Sequence, residues 1–367
     1  MTPENIASFP PDLTFVERPE AHQGGSLHRE LSIISLDSYQ QSGLSAEAYT
    51  TMRYLNRERA TVFSQYWVCV GLASDVPDPG DVYPTEVAGM PIALVRDRAG
   101  TLRAFHNICS HRGLQLVTKS CNVQGNLRCP YHSWGYKLDG TLKSTPHFGG
   151  YHKDTFAGFD RDSKSLTPIR CDQWLDLVFV NLSGDAPPLE EYLAPVIDRW
   201  ATYDLSLLRR EPREVTLQCR ANWKLAVENF SESYHLSWVH PALNSCSRME
   251  DHFGFEVGDT HVGQGSLLYK SGVIEGRSLP TFPNLDIHHK TTVAEYITVF
   301  PNLMLGVHPD YFLVFVAAPV SPGKTQERMT FYFVGDEAMT LENEALRHLP
   351  IDLWQDTNDE AVSYTHL

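Results

Sequence analysis

The chain has 367 residues, of which 42% are hydrophobic and 20% are charged, and its formal net charge at pH 7 is -15. This composition is typical of a globular protein, and the length predicts about two domains. The negative charge argues against a nucleic-acid partner, because nucleic-acid surfaces need clustered positive charge.

The N-terminal sequence MTPENIASFPPDLTF lacks the basic segment and following apolar segment of a secretory signal. The apolar run at 312–320, FLVFVAAPV, is much shorter than the ~20 residues that a membrane helix needs. Seven cysteines in a chain of this size favour reduced thiols or metal ligands over a disulfide framework. We therefore expect a cytoplasmic protein that has no membrane partner.

The first half of the chain begins without periodicity and then changes to strand patterns. Residues 1–40 mix proline, serine and charge, and we interpret them as an N-terminal arm. Residues 44–63 have helical spacing, with Ser45 as the N-cap and Glu47 in the first turn. In residues 66–182, short apolar runs alternate with Gly, Pro, Asn and Asp clusters, which indicates an all-β unit.

The second half combines helical and strand patterns. Residues 184–193 are predicted to be a turn that opens a helix, and residues 223–240 have helical periodicity. Residues 291–320 and 327–335 are predicted to be long strands. Separate strands and helices of this kind indicate an α+β fold, in which a long antiparallel sheet is flanked by helices.

Two short pairs of cysteine and histidine lie in loops of the predicted β unit. Cys109 and His111 form a C-x-H pair, Cys129 and His132 form a C-x-x-H pair, and seventeen residues separate the pairs. Two thiolates and two imidazoles suit either a zinc ion or a two-iron cluster in which two histidines replace two cysteines. Four other cysteines are interpreted as structural: Cys69, Cys121, Cys171 and Cys219.

A second set of candidate ligands lies in residues 222–241, NWKLAVENFSESYHLSWVHP. His235 and His240 are five positions apart, Glu232 precedes His235 by three, and Pro241 ends or bends the segment. Two imidazoles and one further carboxylate would make an iron site with open positions for oxygen and substrate. The spacing alone leaves open that both histidines are ordinary core or surface residues.

The motifs C-S-H-R-G and C-P-Y-H-S-W-G-Y resemble the cluster-binding loops of Rieske-type ring-hydroxylating and related oxygenases. The resemblance implies an all-β domain in which Cys109 and Cys129 hold one iron of a [2Fe-2S] cluster. It implies that His111 and His132 hold the other iron. Three aromatic residues are expected to surround the cluster and tune its potential: Tyr131, Trp134 and Tyr136.

The motifs N-W-K, E-N-F, E-x-x-H and H-x-x-x-x-H resemble the catalytic domain of the same oxygenases. The resemblance implies that His235 and His240 bind a mononuclear Fe(II). It implies that Glu232 bridges to a Rieske histidine of the neighbouring subunit, so that the protein is a homotrimer or a multiple of it. Asn229 and Tyr234 are expected to lie behind these ligands.

The glutamate at position 232 also bears on the substrate. Most ring-hydroxylating members have Asp there, whereas Glu is typical of the branch that acts on choline, glycine betaine and carnitine. We expect a small substrate, a quaternary ammonium compound, to be hydroxylated or oxidatively demethylated; an aromatic ring-hydroxylating dioxygenase is the alternative. Four aromatics are candidates for a cage around the cation, although strand aromatics are more often core: Trp238, Phe300, Tyr311 and Phe312.

The third iron ligand of the family is an Asp in a C-terminal segment that resembles T-N-x-E-D. This chain has T-N-D-E at 357–360, and Ala361 stands where the Asp is expected. We take Asp359 as the candidate third ligand and Glu360 as its alternative. Since the family normally continues for a further helix, we expect a truncated catalytic domain whose last six or seven residues are not native.

The resemblance also implies partners and boundaries. Electrons are expected from NAD(P)H through a separate reductase or ferredoxin, since no G-x-G-x-x-G follows a strand in this chain. We expect an N-terminal arm and helix at 1–64, a Rieske domain at 65–183 and a mononuclear-iron catalytic domain at 184–367. Two rivals are a Rieske electron carrier without oxygenase activity and a scaffold with structural zinc at both sites.

Overall fold

The computed structural model describes residues 43–291 and 293–364, apart from the side chains of 288, 291 and 362–364. The arm predicted at 1–40 and the last three residues of the chain lie outside the described part. Among the described residues, no helix combines the length and the apolar character needed to cross a membrane.

The predicted N-terminal helix is divided into α1, Ala46–Thr50, and α2, Met52–Gln65. The division falls at Thr51, whose backbone is extended and whose hydroxyl accepts a hydrogen bond from the N–H of Tyr54. Thr51 therefore caps α2, because a side-chain oxygen at this position satisfies an otherwise unpaired helical N–H. Ser45 occupies the N-cap of α1 as predicted, but its side chain makes no capping hydrogen bond.

The predicted all-β unit is confirmed, and it consists of two antiparallel sheets. Its ten strands are β1 Val68–Leu72, β2 Asp81–Val87, β3 Met90–Arg96, β4 Leu102–His106, β5 Cys121–Asn122, β6 Leu127–Arg128, β7 Gly135–Tyr136, β8 Leu142–Ser144, β9 Pro168–Trp174 and β10 Leu177–Asn181. The larger sheet has the order β1-β10-β9-β4-β3-β2-β5, and the smaller sheet has the order β6-β7-β8. An apolar core that includes Val95, Phe105, Leu127 and Trp134 joins them.

The second half is an α+β unit with a long antiparallel sheet, as predicted. Its strands are β11 Leu208–Arg210, β12 Val215–Cys219, β13 His252–Val257, β14 His261–Ser266, β15 Ala294–Val299, β16 Leu303–Val307, β17 Tyr311–Ser321 and β18 Lys324–Val334. Its helices are α3 Leu189–Arg199, α4 Trp223–Phe230, α5 Leu236–Val239, α6 Pro241–Cys246, α7 Ile287–Thr291, α8 Gly335–Ala338 and α9 Glu344–Tyr364. The order β11-β18-β17-β16-β15-β14-β13 forms the sheet, and β12 also pairs with β18.

The long sheet buries both of its faces. One face packs on α3 and on strands of the first half, including Leu177 and Phe179. The other face packs on α4 and α9, where Phe331 and Phe333 of β18 are fully buried. Burial of each such phenyl ring contributes about 2 kcal/mol, so these layers hold the helices of the second half in place.

The helix predicted at 223–240 is interrupted after Phe230. The hydroxyl of Ser231 donates to the carbonyl of Val227, and the carboxylate of Glu232 accepts a hydrogen bond from the N–H of Tyr234. These side chains satisfy backbone groups locally, which favours a turn over a continued helix. The strand predicted at 291–320 is likewise divided, because turns at 300–302 and 308–310 separate β15, β16 and β17.

Candidate metal centres

The first candidate centre is built on two loops with the same backbone hydrogen bonds. The N–H of Gly113 donates to the carbonyl of Cys109, and the N–H of Ser133 donates to the carbonyl of Cys129. Gly113 and Ser133 both have positive φ, which turns each chain back sharply. Each cysteine N–H then donates to the carbonyl five residues later. The matched turns present one cysteine and one histidine each.

The structure sorts these four side chains into two pairs. Cys109 and Cys129 are buried, and their thiols interact with each other. The rings of His111 and His132 are 4.7 Å apart and lie nearer the surface. A two-iron cluster needs one pair of ligands for each iron, so an inner thiol pair and an outer imidazole pair match its chemistry. Among the described residues, no three His, Cys, Asp or Glu side chains form a single-ion site.

The two thiols are buried away from solvent. Burial is the main reason that the pKa of Cys109 is raised; a hydrogen bond with Tyr136 opposes this shift, and Cys129 adds to it. The hydroxyl of Tyr136 lies 3.1 Å from the Cys109 sulfur. The ring of Trp134 stacks on His111 at 4.7 Å. Of the three predicted surrounding aromatics, Trp134 and Tyr136 are buried, and Tyr131 is exposed beside His132.

The second candidate centre lies at the two ends of α5. His235 precedes the first residue of this helix and His240 follows its last one, so one short turn sets their spacing. Their rings are 5.1 Å apart. Pro241 is the first residue of α6, a position that proline favours because its missing N–H would be unpaired there anyway.

Each imidazole of this pair is held at Nδ1 by a carboxylate. His235 Nδ1 lies 2.5 Å from Glu232 Oε1, and His240 Nδ1 lies 2.9 Å from Glu360 Oε2. Nδ1–H donation to a carboxylate leaves Nε2 with a free lone pair, which is the arrangement of metal-binding histidines. Asn229 Nδ2 is 3.3 Å from His235 Nε2.

At the second centre, the electrostatics favour a neutral His240 and an ionised Glu232. Burial lowers the pKa of His240, against a smaller opposing effect of Glu360. Burial raises the pKa of Glu232, but hydrogen bonds from His235 and from the backbone outweigh it, so the pKa lies below its usual value. Burial therefore favours the neutral imidazole of His240, which is the form that metal binding requires.

The C-terminal part of α9 approaches the second pair. Asp359 is exposed, whereas Glu360 contacts His240, and Ala361 faces the same space as both histidines. The structure thus brings Glu360 and not Asp359 to the histidines. Position 361 lies where the resemblance expects a carboxylate, but alanine has no donor atom. The two imidazoles suit a mononuclear iron, and the third donor is missing at this position.

The second pair opens into a pocket, which we call the histidine pocket. Of the predicted cage residues, Trp238 is exposed and the other three do not line it. Its lining comprises Cys219, Ala226, Asn229, Phe230, Glu232, His235, Leu236, His240, Leu243, Ser247, His252, Gln264, Tyr296, Met304, Phe315, Glu327, Trp354, Thr357, Asn358 and Ala361. Cys219, interpreted as structural from the sequence, is among them.

Four aromatic rings of the histidine pocket contact one another in a closed circuit. The ring centroids of Phe230 and Tyr296 are 5.9 Å apart, and those of Tyr296 and Trp354 are 5.7 Å apart. Phe315 closes the circuit, 6.0 Å from Trp354 and 5.9 Å from Phe230. Sequence reasoning missed these residues because they come from α4, β15, β17 and α9, which only tertiary packing brings together.

Two protein families match the two halves of the chain. Residues 66–156 match the Rieske [2Fe-2S] domain, and residues 205–361 match the catalytic domain of the ring-hydroxylating α subunit. The carnitine monooxygenase oxygenase subunit of Escherichia coli (strain K12) is 30% identical over 83% of this chain and 78% of its own length. The glycine betaine monooxygenase oxygenase subunit of Chromohalobacter salexigens is 34% identical over 55% of this chain and 44% of its own length.

Solved structures show the same fold. A quaternary ammonium Rieske monooxygenase superposes with a TM-score of 0.71 at 24% identity, over 87% of this chain and 82% of that one. Naphthalene 1,2-dioxygenase from Rhodococcus sp. superposes with a TM-score of 0.65 at 23% identity, over 79% and 72%. A cluster-binding β domain followed by a two-histidine catalytic domain defines an oxygenase with two metal centres. The chain belongs to the Rieske non-heme iron oxygenases, as an α subunit.

Membership in this family identifies the cofactors and the electron source. The cofactors are a [2Fe-2S] cluster and a mononuclear iron, and the electrons come from a separate reductase. An electron carrier without oxygenase activity would need no catalytic domain, so the match at 205–361 argues against this rival. The zinc scaffold is excluded by the same assignment.

Proposed function

We propose that this chain is the oxygenase component that hydroxylates or oxidatively demethylates a quaternary ammonium compound. The observation that carries the proposal is the aromatic circuit in the histidine pocket, because aromatic faces attract cations that cannot donate hydrogen bonds. Similarity to carnitine and glycine betaine monooxygenase subunits supports the same substrate class. Glutamate at position 232 is consistent with it.

We assign the site residues as follows. Cys109 and Cys129 hold one iron of the cluster, and His111 and His132 hold the other. His235 and His240 hold the catalytic iron through Nε2, since Nδ1 of each ring is engaged by a carboxylate. When bound, the cluster supplies single electrons and the iron activates dioxygen. Asn229 Nδ2 lies 3.3 Å from His235 Nε2, so its amide is next to the atom that would bind the iron.

Glu232 and Glu360 have positioning roles in this proposal. Each carboxylate holds a proton on Nδ1 of its histidine and fixes the orientation of the ring. The side chain of Glu232 is nearly half exposed, so it is also available to a neighbouring subunit. We propose that it bridges to the exposed His132 of the next subunit in a homotrimer. The third iron ligand belongs at position 361, where this chain has alanine.

We propose the domain boundaries predicted from the sequence, with the division at residues 183 and 184. The support is that β10 is the last strand of the seven-stranded sheet along the chain, and it ends before α3 begins. We also propose a cytoplasmic location, because none of the seven cysteines, all of which lie in the described part of the chain, forms a disulfide.

Oxygen uptake with a surrogate reductase tests the substrate class. The panel consists of trimethylammonium compounds, such as carnitine and glycine betaine, and aromatic acids, such as anthranilate. We expect uptake and a demethylated or hydroxylated product only with the trimethylammonium compounds. Uptake with the aromatic acids alone would establish the ring-hydroxylating alternative instead.

A further inference from the structure

Glu327 occupies an inward position of β18 where the surrounding pattern is apolar. Side chains of this strand alternate, so that Thr325, Met329 and Phe331 are buried while Gln326 is exposed. Glu327 is in phase with the buried set and is only 5% exposed. Its backbone partners on the two adjoining strands are Leu217 and Ala317, so apolar side chains flank it on both sides.

The carboxylate of Glu327 has no hydrogen-bond or ion-pair partner among the described residues. The next residue, Arg328, lies on the opposite face of the strand, where it pairs with Asp75 and Glu214 at 2.6 Å each. Burial alone raises the pKa of Glu327 to about 7. A buried carboxyl without a partner destabilises a fold, and nothing in the packing of this sheet requires one here.

Glu327 lines the histidine pocket together with the four aromatic rings. Phe230, Tyr296, Phe315 and Trp354 line the pocket as aromatic residues but carry no net charge. A trimethylammonium group has a permanent charge, so it needs a compensating anion when it leaves water. An uncompensated carboxylate and an aromatic circuit in one pocket therefore complement the same chemical group.

We propose that Glu327 is the specificity-determining counter-charge that selects a permanently cationic substrate in the histidine pocket. This inference rests on the proposed function, and it names the group that distinguishes a trimethylammonium compound from a neutral molecule of the same shape. The aromatic rings select the shape and Glu327 selects the charge. Glu327 lies on β18 and the two histidines lie at the ends of α5, so charge recognition and metal binding use different elements of the fold.

The test compares two probes of equal shape, choline and its neutral carbon isostere 3,3-dimethylbutan-1-ol. Calorimetry on the metal-loaded enzyme gives the dissociation constant of each probe, and their ratio measures charge selectivity. We expect the wild-type chain to prefer choline. Glu327→Gln keeps the size of the side chain but removes the charge, so we expect the ratio to fall at least tenfold, mainly through weaker choline binding.

Matched variants separate local charge from net charge. Gln326→Glu with Glu327→Gln moves the carboxylate to the exposed face at constant net charge, and we expect it to behave like Glu327→Gln. Gln326→Glu alone should keep the wild-type ratio. Cluster absorbance and circular dichroism report whether each variant is folded; Glu327→Met replaces Glu327→Gln if the latter fails to fold.

The possible outcomes are distinct. An unchanged ratio in a folded Glu327→Gln variant overturns the role of Glu327, while the proposed substrate class still stands on wild-type binding. A wild-type chain that binds the neutral probe as well as choline overturns the substrate class itself. A double variant that keeps the wild-type ratio would show that net charge, and not the local carboxylate, sets the preference for choline and would overturn the local role.

Discussion

At the scale of single residues, Glu327 has a second measurable consequence. Its pKa of about 7 in the folded state lies above the usual value of 4.5. Between these two pH values the carboxyl is protonated in the folded state and ionised in the unfolded state. Stability therefore falls as pH rises from about 4.5 through 7. The other titratable side chains of the pocket remain in a Glu327→Gln variant: Cys219, Glu232, His235, His240, His252 and Tyr296.

We predict that Glu327→Gln is more stable than the wild-type chain at pH 8 by up to about 3 kcal/mol. The advantage should shrink towards zero below pH 4.5, where the wild-type carboxyl is neutral in both states. Urea unfolding of both proteins across this pH range measures the difference. A variant that is less stable at pH 8 would mean that the carboxylate has a stabilising partner.

We predict that position 361 determines how firmly iron is held. Ala361 faces the histidine pocket, so we predict that Ala361→Asp adds a carboxylate donor and raises the iron content per chain. Asp359→Asn is the matched control, because Asp359 is exposed and its loss should leave iron content unchanged. Metal analysis of the purified variants gives the answer. If iron falls in Asp359→Asn and is unaffected by Ala361→Asp, the third ligand is Asp359.

Glu232 is predicted to act between centres rather than as an iron ligand. In Glu232→Gln, the side chain can still accept a hydrogen bond from His235 Nδ1, but it has lost its charge. We expect both metals to remain bound and product formation to slow by about 10- to 100-fold. Loss of iron from this variant, or full activity, would contradict the role.

At the scale of elements, the helix break at Thr51 is a specific feature of the N-terminal region. The Thr51 hydroxyl caps α2, so Thr51→Ala should lower the free energy of unfolding by about 1 kcal/mol. Thr51→Ser should retain most of the stability. Ser45 makes no capping bond, which makes Ser45→Ala the control with little expected effect. Denaturant unfolding measures all three, and equal losses in Thr51→Ala and Ser45→Ala would refute the capping role.

The interrupted helix before α5 has a functional meaning. A continuous helix over 223–240 would place His235 and His240, five positions apart, on diverging faces, since each residue advances the direction by about 100°. The turn at 231–235 instead puts one histidine at each end of α5, with rings 5.1 Å apart. The same turn carries Glu232 to Nδ1 of His235. The interruption of the helix therefore brings His235 and His240 together.

At the scale of the whole molecule, the proposed bridge makes a prediction about assembly. Chains carrying Cys129→Ser lack the cluster, and chains carrying His235→Ala lack a catalytic iron, so each variant alone should be inactive. If electrons cross between subunits, co-expressed chains that mix at random should regain about a quarter of wild-type activity, since half of the donors and half of the acceptors are intact.

Light scattering of the wild-type protein supplies the accompanying measurement, with three chains expected per particle or a multiple of three. A monomer that is fully active would rule out the bridge. No regained activity in mixed particles would mean that each cluster serves the iron of its own chain.

The local motifs could be predicted from the sequence because short spacings determine local geometry. Cys109 and His111, like Cys129 and His132, sit within single turns, and the two loops have the same hydrogen bonds. His235 and His240 are likewise candidate ligands that one segment of the sequence predicts. Strand alternation predicted the sheet of the second half. The same alternation places Glu327 in phase with the buried Met329 and Phe331, which marks it as a buried carboxyl.

Only the tertiary structure determines which side chains contact His235 and His240. Glu360 lies 120 positions after His240, and no local pattern shows that it, rather than Asp359, contacts that ring. The aromatic circuit joins α4, β15, β17 and α9, because burial of apolar area is not directional and leaves the choice of neighbours to packing. The sequence by itself therefore determined which residues are suited to bind metal; the packing of the sheet against α4 and α9 determined the pocket in which they act.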